Sequence, residues 1–213
     1  MGDVEMNRMT SIRSIAVLLL AVAMLLVSSF SFALEVAGVR LAETARVANQ
    51  DLQLNGAGIR YRAIFKVYAA GLYLTAKKTT VPEVLAASGA RRIELVMLRD
   101  VSSESFGQAF LAGIRKNISK TDKAKLVPQL IKFGELFASI PELKKGDTLA
   151  LDWIPNSGTL VQINGKKVID SLPDIAFHDA LLKIWIGDQP ADAQLKRAML
   201  GEKTNNNMTG NIP

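Results

Sequence analysis

The chain has 213 residues, 49% of them hydrophobic, with a formal net charge of +6 and a pI near 9.6, which suits one domain with a sizeable core. It has no cysteine and a single histidine, His178; this excludes disulfides, thiolate zinc sites, cysteine nucleophiles, an acylated cysteine and a histidine-rich metal site, and no cofactor is expected. A basic surface favours anionic partners, but there is no run of five or more basic residues and no basic-aromatic interleaving, so nucleic acid is not an expected partner.

In chain order, Arg8 and Arg13 precede an apolar run from Ile15 to Val27, and small residues with two phenylalanines follow up to Ala33. This order predicts a secretory signal over 1–33, cleaved after Ala33. The run is shorter than a membrane span needs, so no stable span is expected after cleavage, and the mature protein is expected in the periplasm. Val36 to Leu41 and Thr44 to Leu54 alternate polar and apolar residues and read as strands, with a turn or bulge at Asn49 to Asp51.

The stretch Leu54 to Leu74, LNGAGIRYRAIFKVYAAGLYL, organises the rest. After Gly56 and Gly58 it alternates with period two, Ile59, Tyr61, Ala63, Phe65 and Val67 on one face and Arg60, Arg62, Lys66 and Tyr68 on the other. It reads as one long bent strand, with a bulge or close approach at Ala69 to Gly71. Pro82 opens a short helix stopped by Gly89, and Arg91 to Leu98, apolar on both faces, reads as a central strand.

From Ser102 or Ser103 the period becomes helical, with Phe106, Phe110, Gly113 and Ile114 in phase. A second helix is predicted over about 122–139, with Pro128 as a kink or as its true start. A meander follows from Gly146 to Ile169, turning at PNSG and Asn164-Gly165. Pro173 and Asp174 launch a helix that Gly187 ends, Pro190 begins the last helix through Leu200, and the tail over 202–213 is too polar to fold. The sum is an α+β domain over 34–201, a large antiparallel sheet with helices on one face.

The stretches LNGAGIRYRAIFKVYAAGLYL and AFHDALLKIWIGDQPADAQLKRAMLG resemble the opening strand pair and closing helices of the chalcone isomerase-like family, in its exported bacterial branch. The resemblance spans Leu34 to Gly201. It implies an open-faced β-sandwich with a ligand cleft between sheet and helices. The plant enzymes of that family close a chalcone to a flavanone, an arginine holding the nucleophilic oxygen while hydroxyls and a water stabilise the enolate. The arginine matches Arg60. The family's threonine falls on Tyr68, its helix tyrosine on Phe106, its asparagine on Gly113 and its late serine or threonine on His178.

Most polar groups of the chemistry are thus unmatched, and each lost oxyanion donor costs about 100- to 1,000-fold in rate. The expectation is a non-catalytic protein that binds a small amphipathic acid, such as a fatty acid, through Arg60, Tyr68, Phe106, Gly113 and His178. The alternatives are an isomerase or intramolecular lyase acting on a chalcone-like enone, its catalytic residues unassigned, and an envelope interaction protein without a pocket.

Overall fold

The computed structural model describes residues 33–202. The expected signal and polar tail, apart from Ala33 and Glu202, lie outside the described residues. A first hairpin, β1 (Ala33–Val36) and β2 (Val39–Ala42), forms a two-stranded sheet of its own. The main sheet comprises β3 (Thr44–Val47), β4 (Gln50–Arg62), β5 (Phe65–Leu74), β6 (Arg91–Met97), β9 (Thr148–Ile154), β10 (Gly158–Ile163) and β11 (Lys166–Leu172). Its seven strands run in the order β11-β10-β9-β6-β5-β4-β3, and every neighbouring pair is antiparallel.

The helices are α1 (Val81–Leu85), α2 (Ser103–Asn117), α3 (Lys120–Lys125), α4 (Val127–Ser139), α5 (Ile175–Ile186) and α6 (Ala193–Met199). A small pair, β7 (Val101–Ser102) with β8 (Glu142–Leu143), closes the excursion that carries α2 to α4. Each start has a local cause. Thr80 and Glu83 form a reciprocal capping box on α1, and Ser102, Ser119, Asp174 and Asp192 cap α2, α3, α5 and α6 with their side chains. Pro128 sits in the first turn of α4, where a missing amide costs nothing, so the expected single helix over 122–139 is two, broken at Leu126.

Alternate residues of the strands face the helices. Tyr68, Ala70, Leu72 and Leu74 on β5, Ile93, Leu95 and Met97 on β6, and Leu149 and Leu151 on β9 pack with the phenylalanines of α2 and α4 and with α5 in one core. The opposite face carries a smaller cluster, in which Val36 and Leu41 of the first hairpin cover Leu52, Leu54, Ala69 and Tyr73. The expected α+β architecture, an antiparallel sheet with helices on one side, is the one observed.

The organising stretch differs from its expected form. It is a hairpin rather than one bent strand: β4 and β5 pair along their length around a two-residue turn at Ala63 and Ile64. The register shifts between Leu54 and Gly56, leaving Asn55 as an extra residue in β4, and shifts again between Arg60 and Tyr61. No shift falls at Ala69 to Gly71, where a bulge or close approach was expected; the close approach is what is found, since a Cβ on Gly71 would lie 3.0 Å from the Leu54 side chain and 3.4 Å from that of Leu41. The insertion at Asn55 reverses which residues face the helices. Leu52 and Leu54 lie on the far face, whereas Gly56, Gly58 and Arg60 pair with Leu72, Ala70 and Tyr68 on the helix face.

Asn55 is 2% exposed and fastens this bulge. Its amide donates to the carbonyls of Lys78 and Met199, and its oxygen accepts from the Lys78 amide. The two glycines have a packing cause: a Cβ on Gly56 would overlap the Ala198 carbonyl oxygen, and one on Gly58 would lie 3.0 Å from the Ala198 Cβ. Helix α6 therefore rests directly on β4, and its N-terminus is delivered to Arg60.

Candidate functional site

The site grows from the β4–β5 pairing. Arg60 and Tyr68 are direct cross-strand partners on the helix face, so their side chains are neighbours. The Tyr68 hydroxyl, on a side chain 6% exposed, accepts a 3.0 Å hydrogen bond from the indole Nε1 of Trp185 near the end of α5. Burial pushes the phenol up to about 12; the Trp185 bond and the nearby Arg60 guanidinium pull the other way, and Asp192 adds to the rise. Tyr68 is thus a neutral hydroxyl at any physiological pH.

Arg60 lies at the mouth of this arrangement, its side chain 23% exposed. Its counter-charge is Asp192, whose Oδ2 is 3.9 Å from the guanidinium, beyond hydrogen-bonding reach. That carboxylate is occupied elsewhere. Oδ1 accepts from the amides of Gln194 and Leu195 as the cap of α6, and Oδ2 accepts from the Tyr61 amide at 3.1 Å. A guanidinium has five N–H donors, and Asp192 engages them only at long range.

Behind Tyr68 the interior is aromatic. Phe106 meets Tyr68 edge-on with ring centroids 6.2 Å apart, and lies 4.8 Å from Phe110 and 5.4 Å from Phe137. Phe110 touches Phe133 at 5.5 Å and Trp185 at 5.3 Å. These are ordinary contact separations for packed rings, and all four phenylalanines are buried. The cleft expected between sheet and helices is filled by these rings.

Two surface cavities lie away from it. One is a groove of about 370 Å³ between α2 and α4, lined by Leu111, Val127, Leu130, Ile131 and Gly134 with Arg115, Lys123 and Glu135. The other, of about 250 Å³, lies between α3 and the start of α5. None of the five expected site residues lines either.

The structure brings together Arg60, Tyr68 and Phe106 and separates the other two. Gly113 is two helical turns beyond Phe106, about 10 Å along α2, where the missing side chain lets Ile184 of α5 approach; a Cβ there would be 3.0 Å from that side chain. Its role is helix packing. His178 is two turns before Trp185 on α5, among residues from the opposite end of the strands. Its Nδ1 is 3.3 Å from the Thr159 hydroxyl, its ring 5.9 Å from that of Trp153, and its Nε2 has no hydrogen-bond partner among the described residues. Burial, helped by the positive charge of Arg91, drives its pKa down to about 3. It is a neutral core imidazole, remote from Arg60. Two contributors were not foreseen. Trp185 lies 117 residues from Tyr68, and Asp192, the cap of α6, lies 131 residues from Tyr61.

A family model for chalcone isomerase-like proteins matches residues 33–201. The chain belongs to the chalcone isomerase-like family. Among solved structures, it is similar to the crystal structure of an Arabidopsis thaliana fatty-acid binding protein, with a TM-score of 0.60, 18% identity, and coverage of 76% of this chain and 92% of that one. At that identity the likeness concerns the fold. No curated protein matches the chain in sequence. This chain has an arginine beside a strand hydroxyl, a phenyl ring at position 106 and no side chain at position 113.

Proposed function

We propose that this chain is a non-catalytic, ligand-binding chalcone isomerase-like protein of the exported bacterial branch, which holds a small amphipathic carboxylate such as a fatty acid with its head at Arg60 and Tyr68. One observation carries the reading. The Trp185 indole donates to the Tyr68 oxygen, the guanidinium stands beside it, and the phenol's own proton has no protein acceptor among the described residues. Two donor groups, the Tyr68 hydroxyl and the Arg60 guanidinium, converge where the opposing carboxylate is engaged in a helix cap and held 3.9 Å away. An incoming carboxylate supplies the missing acceptor and displaces only a long-range ion pair.

The Arabidopsis protein that shares this fold is described as binding fatty acids, which supports the choice of ligand class. A tail requires the phenylalanine layer to part. The groove between α2 and α4 is the apolar space nearest to that layer, and a Cβ on Gly134 would meet nothing within 4 Å there. The N-terminal sequence supports export to the periplasm, with a signal over 1–33, a binding domain over 34–201 and a free tail over 202–213. The isomerase reading has less support, because positions 106 and 113 offer no donor and His178 is far from Arg60.

A second reading, an envelope interaction protein without a ligand cavity, is favoured by the close packing of Phe106, Phe110, Phe133 and Phe137. Native mass spectrometry of the protein purified from its host separates the two. The binding reading expects a retained carboxylic acid that Arg60→Ala loses; a ligand-free wild type that also ignores added fatty acid supports the second.

A further inference from the structure

The β4–β5 turn places two large apolar side chains in water. Ile64 is 84% exposed and Phe65 55% exposed, the two most exposed large hydrophobic residues among those described, with only Ile131 equal to the latter. The turn itself is an odd one. Ala63 adopts φ 53°, a left-handed conformation, and neither it nor Ile64 is a glycine, asparagine or aspartate, the residues that make such a turn cheap. A fold seeking only stability gains nothing from an isoleucine there.

The surroundings of the tip are basic. Arg62 pairs with Phe65 across the hairpin, Lys66 pairs with Tyr61, and the Arg99 guanidinium lies 4.9 Å over the Phe65 ring. The strand registers bring three further loops to the same end of the sheet: the end of β6, the start of β9 and the β10–β11 turn all border it. They contribute Lys144, Lys145 and Lys166, all exposed. The acidic groups on these loops are fewer, and two are bound locally. Asp100 accepts from the Lys145 amide, and Asp147 accepts from the Lys144 amide and from Asn164; Glu142 is the third.

We propose that this end of the sheet docks on an anionic lipid bilayer, with Ile64 and Phe65 entering the headgroup boundary and the surrounding cations contacting lipid phosphates. Amphipathic surfaces of this kind bind through apolar burial together with electrostatic attraction. Cations around a protruding apolar pair match a negatively charged interface, and among the described residues no helix is long and apolar enough to cross it. The geometry is that of a protein resting on a membrane by its hairpin tip. The inference does not depend on the Arg60 site holding a ligand, although that site opens two residues along β4 from the tip.

The absence of cysteine from the full chain permits a direct test. Ile64→Cys in the full chain, labelled with a polarity-sensitive fluorophore, is mixed with vesicles of equimolar phosphatidylcholine and phosphatidylglycerol, and with vesicles of phosphatidylcholine alone. The label is expected to shift to the blue and brighten severalfold on the anionic vesicles only, reversibly with added salt. The same label at Ile131→Cys stays water-like. Adding Arg62→Glu and Lys66→Glu weakens the response at least tenfold, since each cation near such a surface is worth about fivefold in partition. A label at position 64 that remains water-like on vesicles that carry the protein down in a sedimentation assay, or a protein that does not bind them, overturns the proposal. So does a response at position 131 in place of 64.

Discussion

A buried, neutral histidine makes stability depend on pH in a way that can be isolated. His178 is 0% exposed and titrates near 3 in the folded chain, against about 6.5 when unfolded. Above pH 6.5 the imidazole is neutral in both states and contributes no pH dependence. As pH falls below 6.5 the unfolded chain takes up a proton that the folded chain refuses, so stability is lost toward pH 3 at about 1.4 kcal/mol per pH unit. Between pH 7.5 and pH 5 the loss is about 2 kcal/mol, which lowers the urea midpoint by about 1 M for a protein of this size. His178→Gln keeps a polar group for the Thr159 hydroxyl and removes the titration, so its midpoint should be nearly level over that range. Asp179 lies beside His178 and pairs with Arg91 at 2.9 Å, and burial raises its pKa. Its influence has the opposite sign and is common to both proteins, so it cancels in the difference. Parallel wild-type and His178→Gln curves from pH 7.5 to 5 would refute the reasoning.

Other substitutions test the packing and the site. Gly56→Ala drives a methyl group into the Ala198 carbonyl and is expected to lower the denaturation free energy by about 3 kcal/mol, whereas Gly134→Ala meets open space within α4 and should raise it by up to about 1 kcal/mol. Asn55→Ala strands the Lys78 amide and the Lys78 and Met199 carbonyls, and a loss of about 2–3 kcal/mol is expected in the same assay. Asp192→Asn keeps an oxygen for the α6 cap but removes the negative charge facing Arg60; calorimetric titration should show tighter carboxylate binding than in the wild type.

What the sequence made legible was local. Alternation, caps and glycine stops placed most strands and helices, because those signals act over a few residues. The paired glycines before Arg60 read only as the break that opens the strand; the structure shows that they let α6 approach β4. Arg60 and Tyr68 were expected together on the parity of one strand; they meet instead across a hairpin, because one extra residue on either side of the pairing changes the faces. The turn was hidden because Ala63 and Ile64 are poor turn residues, and a residue serving a surface role there leaves no turn signature. Helical phase put His178 on the same side of α5 as Trp185, but phase says nothing of position along the axis. The helix runs the length of the strands, so two turns carry His178 to Thr159 and Trp153 while Trp185 reaches Tyr68. Gly113 and the phenylalanines gave helix packing, which periodicity cannot distinguish from the lining of a cleft.

The guanidinium beside a neutral phenol is the centre of the functional account, and head-group charge is what it should read. Titrating the wild type and Arg60→Ala with dodecanoate and with dodecanol, followed by calorimetry, compares equal tails with different heads. The account predicts that the wild type prefers dodecanoate by about 10- to 100-fold, the range of a charge-assisted hydrogen bond, and that Arg60→Ala abolishes the preference. Equal affinity of the wild type for acid and alcohol, or an undiminished preference in Arg60→Ala, contradicts it.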